Sequence, residues 1–278
     1  MTTLLPFRWH LLELATIVVV GVAQRQMVAS PRLRRHAVWA LIALAVVVVW
    51  PIGDLAATVS ITIATVQRLV IMLFVAPMFL LSLSTDVLVR LTRPPLVDTV
   101  VRWVTRPGVA VALVTIVGTA TLSSPLVDWG ARSPFARDVV LAGVLACGVL
   151  LWLPALSIVP GTRHLSPTAR AGYVFVSSLV VTSLSFVWIF SRHPLYSALH
   201  HQHAILHVSA LLDQQLAGFV AKFGAYIPMW AVAFTIFSRS DDRGEAIEDA
   251  PLHWADVERE MLRVDRRRAR EARRRGPA

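Results

Sequence analysis

The densest chemistry in this 278-residue chain lies between Arg192 and Gly218, in RHPLYSALHHQHAILHVSALLDQQLAG. Five of the nine histidines fall there: His193, His200, His201, His203 and His207. If residues 198–210 are helical, His200, His203 and His207 follow i, i+3, i+7 spacing and share one face, while His201 points elsewhere. Three imidazoles on one face suit copper or zinc. A closed structural zinc site wants a fourth ligand, and Asp213 supplies one only if the chain turns back. The bland alternative is a wet amphipathic loop helix whose histidines meet water or lipid headgroups. Imidazole titrates near neutrality, so a pH-sensing role fits the same residues. The stretch closes on an acidic-amide cluster, Asp213, Gln214 and Gln215.

The elements around this stretch are greasy. Hydrophobic residues make up 56% of the chain and charged residues 16%, against about 25% charged in an ordinary soluble domain. Apolar blocks of roughly 18 or more residues with few charges read as transmembrane helices. The chain is therefore expected to be all-α and polytopic. Its net charge is +10, carried almost wholly by arginine, with Lys222 as the one lysine. Basic loops beside spanning helices suit anionic lipid, and no nucleic-acid partner is expected. The single cysteine, Cys147, excludes an internal disulfide and a CxxC metal pair. The first apolar segment lacks a small-residue cleavage site and is expected to be retained.

Seven spans are expected, at about 9–29, 37–56, 58–83, 108–127, 138–159, 169–191 and 213–237. Between the third and fourth, LVDTVVRWV reads as a short interfacial helix. The links after spans one, three and five, and the tail, hold most of the arginines. The positive-inside rule then puts the N-terminus outside, the C-terminus in the cytoplasm and the histidine stretch outside. The loop at 128–138, with Arg132 and Arg137, fits this least well. Residues 1–238 are expected to form the transmembrane domain and 239–278 a cytoplasmic arginine-rich tail. From Arg259 onward nine arginines face Glu260, Asp265 and Glu271, a net of +6. Such a tail suits anionic lipid. It reads as a helix over about 251–275, either a solvated anchor or a docking arm for a partner.

Ionisable residues also fall inside the spans. With that orientation, Arg68 lies about 12 Å and Lys222 about 13 Å below the outer surface, at 1.5 Å per residue. Glu13 and Asp54 sit near the outer ends of the first two spans. A charge at mid-bilayer costs about 2.5–3.5 kcal/mol on insertion scales and normally faces the bundle interior with a partner. Arg68 and Lys222 are thus expected to meet acids among Glu13, Asp54 and Asp213. One reading is an outward-open polar cavity lined by Glu13, Asp54, Gln67, Arg68, Asp213, Gln214, Gln215 and Lys222. The others are structural ion pairing and snorkelling to the interface.

LLDQQLAG at the start of the last span resembles the DQQxxG signature of the caa3-type CtaG family, multi-helix cytochrome c oxidase assembly factors of bacteria. WPIGDLA, VQRLVIMLFVAPMFLLSL, LLWLPAL, HLSPTARAGYVF and RHPLY agree with it in order. The resemblance covers about residues 35–237. It implies a bacterial plasma-membrane protein that helps mature a haem-copper oxidase, with copper handled at the outer face. Its partners would be cytochrome c oxidase subunits or other respiratory-complex proteins. The family usually carries His-x-x-x-His at the start of helix 3, where this chain has Ala64 and Arg68 and keeps Gln67. A histidine usual in helix 5 is replaced around Val140 and Leu141, and a Met-Trp pair in the last helix by Ala221 and Lys222. Two expectations follow: a copper-handling assembly factor with His200, His203 and His207 as ligands, or a non-metal scaffold that has lost its intramembrane histidines. A transporter or receptor is a third class that the span count alone does not exclude. Neither a nucleophile–base pair nor a Gly-rich phosphate loop argues for an enzyme.

Overall fold

Proline at the first turn starts most of the helices, where its missing N–H is not needed. Serine often precedes it: the hydroxyls of Ser133 and Ser166 accept from Ala136 N and Ala169 N. The computed structural model describes residues 14, 17–18, 21–22, 30–49, 52–162, 165–196 and 208–248. Every regular element among them is helical. In order these are α1 (Pro31–Val48), α2 (Ile52–Thr58), α3 (Ile61–Ser82), α4 (Thr85–Leu91), α5 (Pro95–Val104), α6 (Pro107–Ala120), α7 (Ser124–Arg132), α8 (Pro134–Leu156), α9 (Pro167–Val181), α10 (Ser185–Phe190) and α11 (Ala210–Glu248). The chain divides into two units, Met1–Ile236 and Phe237–Ala278. The packing described below belongs to the first.

Among the described residues four helical stretches are long and apolar enough to cross a membrane: Ile61–Ser82, Pro134–Leu156, Pro167–Phe190 and Ala210–Arg239. A fifth is added if α5 and α6, bent by 88° at their junction, count as one. The bend leaves α5 as a separate amphipathic helix, with Leu96, Val100 and Trp103 exposed on one side and Asp98 bonded to Arg102 at 2.7 Å on another. The span expected over 37–56 is two helices, α1 and α2, with Pro51 between them, since proline cannot donate to a continuing ladder. The span expected over 108–127 ends at Ala120 after 14 residues. Ser124–Pro125 then restarts the chain as α7, in what read as a loop. Most of the first expected span, the tail helix and most of the histidine stretch lie outside the described residues.

The core of the bundle is built from small side chains. Ala76, Ala110, Cys147, Ala155 and Ala171 are buried with Leu151, Trp152, Val174 and Met229 between α3, α6, α8, α9 and α11. Lipid is as apolar as leucine, so close backbone approach rather than solvent exclusion holds such helices together. The outward faces are apolar too: Ile116 is 65% exposed, Ile227 68% and Phe234 72%. That inversion is what a chain solvated by lipid tails requires.

α3 is interrupted by a π-turn at Ile71–Val75, ahead of Pro77. In this register Ala76 N bonds to Ile71 O. The carbonyl of Met72 would then look to position 77, where proline has no N–H. Trp152 of α8 supplies the missing donor, its Nε1 lying 2.9 Å from Met72 O. Trp152→Phe keeps most of the volume and takes the indole donor from a part-buried carbonyl. We expect it to cost about 1–3 kcal/mol, read as a lower unfolding temperature of the detergent-solubilised protein.

Candidate functional site

The DQQ cluster opens α11, and each of its members fastens a different segment. α3 begins at Ile61 with Ser60 as its N-cap, and its first N–H groups have no partner within the helix. Asp213 supplies one. Its carboxylate accepts from Ser60 Oγ at 2.7 Å, Ile61 N at 2.8 Å and Thr62 N at 3.3 Å. Thr62 Oγ1 donates in return to Asp213 O at 2.8 Å. A carboxylate at a helix N-terminus also meets the positive end of the helix dipole. Gln214 Oε1 accepts from Leu195 N at 2.7 Å, and Gln215 Nε2 donates to Ser191 O at 3.4 Å. One turn on, a Cβ at Gly218 would lie 2.9 Å from Ser185 O and 3.1 Å from Ile189 N, so glycine alone lets α11 press against α10. Asp213, Gln214 and Gln215 are therefore a clamp on α3, on residues 191–196 and on the end of α10.

Arg68 sits two turns into α3. Its guanidinium bonds to Thr121 at the end of α6, to the carbonyl at 3.2 Å and to the hydroxyl. The neighbouring Gln67 is buried and donates to Val47 O of α1 at 2.7 Å. Two cavities of about 80 Å³ each flank Arg68. The first is also lined by Thr65, Gln67, Arg137, Trp188 and Tyr196. Tyr196 closes it, with its hydroxyl on Leu122 O at 2.8 Å and its ring edge-on to Trp188. Burial pushes the Tyr196 phenol up to about 12, so it stays a neutral donor.

The acids go elsewhere than the sequence suggests. Asp54 pairs with Arg137, at 3.6 Å with both side chains buried. Arg137 read as a loop charge because α8 was expected to begin after it; Ser133–Pro134 starts the helix one turn earlier and turns that side chain inward. Asp213 is taken up by the start of α3. Neither acid meets Arg68 or Lys222, and Glu13 lies outside the described residues. Lys222 bonds to Tyr226 Oη at 3.0 Å and stands over the Phe186 ring, 3.8 Å from its centroid. That cation–π contact is favourable where water is scarce. Of the eight residues expected to share one polar cavity, Gln67 and Arg68 line the first cavity, whereas Asp54, Asp213, Gln214, Gln215 and Lys222 do not. His200, His203 and His207 also lie outside the described residues, and His193 is exposed.

The first cavity gathers Ala64, Arg68, Val140 and Leu141, and the second Arg68 and Ala221. These residues were singled out from three separate stretches of the sequence. The family model for the cytochrome c oxidase caa3 assembly factor matches residues 16–240. The chain belongs to that family. No curated protein and no solved structure matches it.

Membership gives the cavities a meaning. The positions where the resemblance placed histidines in helices 3 and 5 line the first cavity together, and Ala221 of the last-helix pair lines the second. In this chain the first cavity is filled by a guanidinium and largely aliphatic side chains. These residues do not fit a copper ion. A fixed cation stands among them, and alanine, valine and leucine have no lone pair to give. Among the described residues no three of His, Cys, Asp and Glu come together as metal ligands would. The sequence had flagged Arg68 but not its partner Thr121, because a threonine at a helix end is too common to be a signal.

Proposed function

We infer that this chain assists cytochrome c oxidase assembly as a membrane-embedded scaffold that holds no copper among its helices. The observation that carries the reading is Arg68, bonded to Thr121 in a cavity whose other walls include Ala64, Val140 and Leu141. In this reading the chain crosses the bacterial plasma membrane seven times, with its N-terminus outside. The basic tail rests on anionic lipid, and the partners are oxidase subunits or other respiratory-complex proteins held transiently at the outer face. The Asp213 clamp supports this by fixing both ends of the histidine link near one end of α3.

That same anchoring favours a second reading. Leu195 and Asp213, on either side of the link, are both held by side-chain hydrogen bonds. A short tethered link would hold His200, His203 and His207 close together, as copper needs. Deleting the gene is expected to lower spectroscopic haem a and oxidase activity, and normal oxidase in the deletion strain removes both readings. Elemental analysis of the purified full chain separates them. The scaffold reading expects far less than one copper or zinc per chain, and full complementation by a His200→Ala, His203→Ala, His207→Ala triple variant. One copper per chain, lost in that variant together with complementation, transfers the role to the histidine link.

A further inference from the structure

The acids expected to meet Arg68 are spent elsewhere. Asp54 pairs with Arg137, and Asp213 gives its oxygens to the start of α3. No carboxylate among the described residues lies within ion-pairing distance of Arg68, whose hydrogen bonds go to Thr121. A guanidinium has five N–H donors in a fixed fork, and these contacts use only part of it. A cation held among transmembrane helices without a counter-charge is costly, yet the fold keeps it beside open space.

That space has a chemistry. The first cavity is lined by two guanidinium side chains, Arg68 and Arg137, with Thr65, Gln67 and Thr121 as further polar groups and no carboxylate among the described residues of its wall. At about 80 Å³ it has room for a few water-sized occupants. The rest of its wall is aliphatic or aromatic, including Ile61, Leu122, Val140 and Trp188. The geometry points to a binding site for one small monovalent anion, of halide size, held by Arg68 with Arg137 behind it. The anion supplies the counter-charge that Arg68 lacks and locks α3 to α6 through Thr121. The apolar wall favours weakly hydrated ions, so bromide and iodide bind more tightly than fluoride. This inference does not depend on the role in oxidase assembly.

The test uses the purified full chain in neutral phosphatidylcholine nanodiscs, with sodium gluconate exchanged for sodium bromide at constant ionic strength. Bromide is expected to raise the unfolding temperature by several degrees and to saturate, as a ligand of the folded state must. Fluoride is expected to do little. Iodide supplies a second readout, because Trp188 lines both cavities. Its titration should show a saturable component of tryptophan quenching beside the linear collisional one. Arg68→Met should abolish both the saturable quenching and the bromide shift, and Trp188→Phe should abolish the saturable quenching. Three results overturn the proposal: no saturable response in the unsubstituted chain, a response equal for fluoride and bromide, or a response that persists in Arg68→Met. The last would place anion binding on groups other than Arg68. If Arg68→Met does not fold, the unsubstituted chain and Trp188→Phe still decide the matter.

Discussion

Replacing Asp213 with alanine is expected to unfold much of the protein at temperatures the unsubstituted chain tolerates. One carboxylate accepts from Ser60 Oγ, Ile61 N and Thr62 N, and Asp213 is 4% exposed. Alanine removes every acceptor at once. Three donors are stranded at a buried helix start, where no intrahelical partner exists for them. Hydrogen bonds to charged groups contribute about 1.5–3 kcal/mol each, and stranded buried donors add their desolvation cost. Because the three bonds share one carboxylate, their costs do not add fully, and a loss of about 3–5 kcal/mol is expected. Asp213→Asn keeps one oxygen but turns an amide N–H₂ toward donors, so a smaller loss of about 1–3 kcal/mol is expected. Ser60→Ala, which removes one donor, should cost about 1 kcal/mol. Thermal unfolding of the three variants in detergent checks the order. Asp213→Ala as stable as Ser60→Ala would show that the clamp does not hold α3.

Gly148→Leu is expected to be as damaging, for a steric reason. α8 crosses α3 where Gly148 meets the π-turn. A Cβ there would lie 2.7 Å from Ala76 Cβ, 2.9 Å from Met72 Cα and 3.0 Å from Met72 O. None of these atoms is the tip of a flexible side chain, so the two helices must separate. Separation also pulls Trp152 away from Met72 O. Overpacking alone costs about 1–3 kcal/mol. With the indole hydrogen bond lost as well, Gly148→Leu should fail to yield folded protein, and Gly148→Ala should yield a destabilised one. Gly172 is the control, because a Cβ there meets nothing within 4 Å. Gly172→Ala should be neutral or stabilise by up to about 1 kcal/mol, since alanine suits a helix better. Expression level and unfolding temperature compared across the three variants decide it. Equal losses at Gly148→Ala and Gly172→Ala would exclude close packing as the cause.

Helical class, membrane residence and family were legible in the chain itself. Each rests on a one-dimensional property: apolar blocks of bilayer length, arginines between them, and the run LLDQQLAG in the company of WPIGDLA and LLWLPAL. The polar residues that matter were also visible one by one, because a charge or amide in an apolar run stands out. What no linear reading could supply was who meets whom. Arg68 and Lys222 looked as if they needed acids, but Asp54 went to Arg137 and Asp213 to the first N–H groups of α3. Pairing depends on the rotation and depth of each helix, which packing sets, and residues 54 and 137 or 60 and 213 come together only in three dimensions. The same holds for Trp152 and Met72, where a donor in α8 answers a gap that a proline opened in α3. Composition therefore fixed what kind of object this is. The folded bundle decided that Ala64, Arg68, Val140 and Leu141 share one cavity, because only helix packing brings separate stretches within reach of a single small occupant.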